Sequence, residues 1–160
     1  MTTTRGALRE LSGGHERDVR RVWYALRGID VDPDGVTKLT GIKPDRVGRR
    51  GEPTPWTGIP RAEGLWLLFS GLGDADEFHE HLDALVGRLR PAWGAFVDLG
   101  RVHNAEVGAA IHLVEAQGPL IVVLPDVSAS LAELGAAFAF DLYALTEEDD
   151  DADSSEPDTG

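Results

Sequence analysis

The stretch Asp18–Leu26, DVRRVWYAL, sets the frame for the rest of the chain. Val19, Val22, Tyr24 and Leu26 alternate in part with polar residues, the two-residue period of a strand with one buried face. Directly after it, Asp32-Pro33-Asp34-Gly35-Val36-Thr37-Lys38-Leu39-Thr40-Gly41 carries helix punctuation. Asp32 suits the N-cap and Pro33 the first turn. Val36 and Leu39 make a short apolar stripe, and Gly41 stops the helix with Ile42 placed to fold back on it. Lys43 to Arg61 reads as a loop rich in Pro, Gly and Arg. Leu65 to Ser70, LWLLFS, is an apolar run of strand length.

The clearest helix begins at Asp74, which with Glu77 three residues on gives an acidic capping box. Phe78, Leu82, Leu85, Val86 and Leu89 recur at helical spacing. Arg88 and Arg90 suit the negative end of the helix dipole, and Pro91 ends the run. Pro91–Leu99 is ambiguous, with a second short helical piece as one solution. Val107–Val114 and Leu120–Leu124 read as two strands joined as a hairpin through Gln117-Gly118-Pro119. Asp126–Gly135 reads as a short helix capped by Asp126, with Val127, Leu131 and Leu134 inward. Ala137–Leu145, AFAFDLYAL, is a last strand with Phe138, Phe140 and Leu142 on one face and Asp141, Tyr143 and Leu145 on the other.

The order βαβααββαβ predicts an α+β fold: a single mixed, mostly antiparallel sheet with helices packed on one face. Residues 1–15 are expected to be a flexible lead-in, 16–146 a single α+β domain, and 147–160 a disordered acidic tail. That tail holds 8 acidic residues and no basic one, and it cannot bury enough apolar surface to offset the entropy of ordering it.

Charge is laid out unevenly. Twelve of the 15 basic residues lie at or before Arg61 beside 8 acidic residues, while 20 acidic residues follow, for a net charge of −13. Such polarity suits electrostatic recognition by a partner. The chain has no cysteine, which excludes disulfides and thiolate chemistry. No apolar run reaches the roughly 20 residues that a membrane helix needs. A cytoplasmic location is expected, with no membrane association.

Several short landmarks fall in a familiar order. They are Val22-Trp23-Tyr24, Asp32-Pro33, Thr40-Gly41-Ile42-Lys43-Pro44-Asp45, Arg50-Gly51-Glu52, Gly64-Leu65-Trp66, the Phe78–Leu89 helix and Phe140-Asp141-Leu142-Tyr143. In this order the chain, over about residues 18–145, resembles the bacterial family of unknown function numbered 4279. The resemblance implies a compact α+β fold. It implies no activity and transfers no catalytic residue.

Four groups of residues stand out as candidate sites. Lys43, Arg46, Arg49 and Arg50 can form a fork for phosphate, carboxylate or an acidic surface, with Trp56 to stack on a ring; the competing reading pairs these arginines with carboxylates of the same molecule. The glycines of this loop lack the spacing of a phosphate-binding loop. His79 and His81 are two apart and diverge on a helix. His79 with Asp83 is better spaced, and His103 and His112 would have to complete a site, so no metal and no cofactor is expected. The bland alternative for the two histidines is a polar helix face. Asp141, beside Tyr143 and with His112 or Glu115 as a second group, is the candidate for acid–base work. Of the tryptophans, Trp23 and Trp66 are expected in the core, and Trp56 or Trp93 at the surface.

The leading functional expectation is a non-catalytic acidic module that docks a protein with a basic surface, as a regulator or an immunity-type neutraliser. Its contacts would be Asp74, Asp76, Glu77, Glu80, Asp83 and Trp93. The alternative is a site for an anionic small molecule, or an uncharacterised enzyme, built on Arg46, Arg49 and Arg50 near Asp141 and Tyr143. Direct nucleic-acid binding is disfavoured by the net charge. Pairing of copies through a strand edge is a third reading.

Overall fold

The computed structural model describes residues 19–55, 57–74, 76–114 and 121–145. The partly alternating segment that ends at Leu26 becomes the central strand of the sheet, β1 (Val19–Gly28). It pairs antiparallel with β3 (Gly64–Phe69) on one side and with β4 (Asn104–Val114) on the other. A short β2 (Arg46–Gly48) borders β3 antiparallel, and β5 (Ala137–Leu145) runs parallel to β4. The resulting order is β2-β3-β1-β4-β5, a mixed and mostly antiparallel sheet.

The four helices of the described residues all pack on one face. α1 (Pro33–Thr40) starts at Asp32, whose side chain accepts the Asp34 N–H, and ends at Gly41 in the left-handed region at φ 69°. α2 (Phe78–Leu89) runs through a 3-10 turn at Arg90–Ala92 into α3 (Trp93–Val102). α4 (Pro125–Glu133) lies in the crossover from β4 to β5. Val36, Leu82, Leu85, Leu89, Phe96, Val127, Leu131 and Leu134 from these helices meet Val22, Tyr24, Leu26, Trp66, Leu68, Val107, Ala109 and Ile111 from the strands in one core. Each Val, Leu, Ile or Phe side chain among them contributes about 1.5–3 kcal/mol by leaving water. Tyr24, Trp66 and Phe96 form the aromatic centre, with ring centroids 5.4–6.5 Å apart.

Four expectations are corrected. Ile121–Leu124 form no strand, so the described part of the expected hairpin is absent; the chain instead crosses over through α4 to a parallel β5. Val123 and Leu124 are partly buried against the core, so their apolar character reflects packing rather than a strand. The cap of α2 shifts by three residues, to Glu77, whose N–H donates to Glu80 at 3.0 Å; Asp76 instead accepts the Gly73 N–H at 2.8 Å. The cap of α4 is Leu124 rather than Asp126, because Pro125 already occupies the first turn. Finally, the expected loop Lys43–Arg61 contains β2 and a bridge between Pro53 and Pro60. The lead-in 1–15, the tail 147–160, Trp56 and the Gln117-Gly118-Pro119 turn lie outside the described residues.

Candidate functional site

Strand alternation gives the sheet a second face that no described helix covers. On β1, Val22, Tyr24 and Leu26 are buried in the core, so Arg21, Trp23 and Arg27 project from the opposite side. Trp23 is thus an open-face residue rather than a core one. Its ring lies over Gly108 of β4, where a Cβ would collide with the indole, and its Nε1 donates to Glu106 at 3.3 Å. Gly48 of β2 serves the same end, since a Cβ there would run into the Arg61 guanidinium. Two glycines therefore let a large planar group lie against the strands.

This face holds a broad groove of about 710 Å³, lined by Arg21, Trp23, Arg27, Arg46, Arg61, Phe69, Asp141 and Tyr143 among others. The Arg21 and Arg46 guanidinium carbons lie over the same Phe69 ring, 5.4 and 5.7 Å from its centroid. Neither they nor Arg61 has a carboxylate within ion-pair range among the described residues. Arg27 has Glu106 at 4.0 Å. A protein of net charge −13 thus gathers four arginines against Asp141 in one groove.

The arginine fork expected from the sequence divides. Arg46 enters the groove together with Asp141 and Tyr143. Arg49 leaves it: its Nη2 donates to both Asp34 carboxylate oxygens at 2.8 and 2.9 Å, and its Nη1 makes a longer contact with Glu52 at 3.5 Å. Hydrogen bonding to Asp34 is the main cause that raises its pKa above the ordinary value. Lys43 and Arg50 are exposed outside the groove, and Trp56 lies outside the described residues. Arg21, Arg27 and Arg61 are the groove residues that the loop-centred reading missed. For Arg21 and Arg27 the signal was available, in the two-residue period of β1.

The acidic candidates cluster where α2 begins. Asp76 and the Glu77–Glu80 box are engaged in the local turn and cap. Asp74 is exposed and Asp83 half-buried on α2. Trp93 packs partly against the core, and the Arg90 guanidinium lies 4.5 Å from its ring centroid.

The histidine pair also separates, because His81 is fully buried instead of lying on a polar face. Its Nδ1 is 2.7 Å from the Ser70 hydroxyl, and Nε2 makes no hydrogen bond of good geometry among the described residues. Burial pushes the His81 pKa below its ordinary value, against the opposing pull of Asp76, the Gly73 carbonyl, Glu80 and Asp74. Among the described residues no three potential ligands gather to hold a metal, and no helix is long and apolar enough to cross a membrane.

An α+β domain with a helix-covered face and an arginine-lined open face is the class that this geometry defines. Residues 17–145 match the family described as Domain of unknown function (DUF4279), and the chain belongs to that family. No curated protein and no solved structure matches it.

Proposed function

We propose that this domain binds an anionic small molecule on the open face of its sheet, with Arg21, Arg46 and Arg61 as the anion contacts. The observation that carries this is the convergence of Arg21 and Arg46 on Phe69 with no carboxylate in ion-pair range among the described residues. The π face holds each exposed cation by only about 0.5–1 kcal/mol and leaves its N–H donors to a ligand. A phosphate or carboxylate that reaches these guanidinium groups gains charge-assisted, two-pronged hydrogen bonds.

Calorimetric titration with inorganic phosphate and with succinate tests this. Saturable binding is expected, weakening as ionic strength rises. Arg21→Ala and Arg46→Ala should each lower affinity about tenfold, whereas Arg49→Ala, paired outside the groove, should change it by less than about twofold. No binding by the wild-type protein, or an equal loss in Arg49→Ala, sinks the proposal.

Docking of a basic protein through Asp74, Asp76, Glu77, Glu80 and Asp83 has weaker support, since the Asp76 and Glu80 carboxylates already accept backbone N–H groups. Asp141 and Tyr143 border the groove on β5, and we assign them no catalytic role.

A further inference from the structure

We propose, resting on the anion-binding reading above, that the ligand is a nucleotide whose base stacks on Trp23 while its phosphate meets Arg21 and Arg46. Trp23 is built as a platform. One side of its indole is laid on the sheet over Gly108, and the Nε1 bond to Glu106 fixes its orientation. The residue is only half-buried and lines the groove. The cation–ring contacts of the groove fall on Phe69 and not on Trp23, so no described guanidinium occupies the indole.

The cations stand beside this ring. Phe69, which carries both guanidinium groups, is the cross-strand partner of Trp23. Arg21 is two residues from Trp23 along β1, about 7 Å on the same face. A stacking ring next to a pair of cations matches a ligand with a planar ring at one end and a phosphate at the other, the span that a ribose bridges. Free phosphate or a dicarboxylate would leave the indole unused. Any nucleobase has a π face, so stacking sets the class of ligand and not the identity of the base. The groove's volume of about 710 Å³ lies within the roughly 300–1,000 Å³ usual for small-molecule sites.

The test is a calorimetric comparison of adenosine 5′-monophosphate, ribose 5-phosphate and inorganic phosphate on the full chain. The nucleotide is expected to bind about tenfold more tightly than ribose 5-phosphate, the size of one base–aromatic stack. Trp23→Leu should erase that advantage while leaving the affinity for inorganic phosphate within about twofold, and Trp23→Phe should restore part of it. If all three ligands bind alike, or if Trp23→Leu weakens all three alike, the nucleotide assignment is overturned while anion binding stands. If none of the three binds, both fall. Circular dichroism of each variant separates lost binding from lost folding.

Discussion

The two faces of the sheet are made from the same strands yet obey different constraints. On the covered face, Val22, Tyr24, Leu26, Trp66 and Leu68 are 0% exposed and meet helices; shape and apolar area decide which residues fit there. On the open face, the neighbours of those residues are Arg21, Trp23, Arg27 and Phe69, half-buried or exposed, and two glycines keep the surface low. One face holds the fold together, and the other is free to carry recognition. The contrast teaches that the charge of the whole chain, −13, says little about any one surface, because strand alternation sorts the arginines locally.

The largest expected effect sets the faces directly against each other. Phe96→Ala, at the aromatic centre of the covered face, should cost about 3–5 kcal/mol in urea unfolding, and Phe69→Ala on the open face no more than about half of that. Equal losses would show the open face to be a second core. A smaller, pH-dependent effect should come from His81, which points into the covered side. Its folded-state pKa lies below the ordinary 6.5 because burial disfavours the charged ring. As pH falls, the unfolded chain therefore takes up the proton first. Stability is fully present above about 6.5, declines beneath it, and levels off once the folded-state value is passed. His81→Leu should flatten the change in urea midpoint between about pH 7.5 and pH 5; an unchanged slope would remove His81 from the account. The smallest effect sharpens the description of the core. The Tyr24 hydroxyl is buried without a hydrogen-bond partner among the described residues, and burial raises its pKa. Tyr24→Phe should thus raise the thermal midpoint, by about 1 kcal/mol or less in stability. A lower midpoint would mean that the hydroxyl has a partner in solution.

Much of the architecture was legible because period and punctuation agreed. Asp32, Pro33 and Gly41 bound α1 as their chemistry requires, and Phe78, Leu82, Leu85 and Leu89 bury the face of α2 that their spacing marks. Legibility failed where a segment's role depends on distant partners. Arg46–Gly48 has too few residues to show a period, and it is a strand because β3 lies beside it. Ile121–Leu124 is apolar in either role, so only its packing separates a core-lining connector from a strand. The groove was half legible. Asp141 and Tyr143 were placed on one face by alternation, and the same alternation put Trp23 beside Arg21 and Arg27, against the expectation of a core tryptophan. The pairing of Arg49 with Asp34, fifteen residues away, leaves no local trace. Convergence of Arg21 and Arg46 on Phe69 requires three strands to be aligned first.

The position of β1 also governs how the chain must assemble. The earliest strand among the described residues becomes the middle of the sheet, and its bond from Trp23 to Glu106 spans 83 residues. Neither of its edges can be satisfied until β3 and then β4 have emerged. A nascent chain therefore carries β1 with both edges open until β3 is made and with one edge open until β4 follows, and such non-local pairing slows folding and exposes an apolar-sided strand to aggregation or chaperone capture.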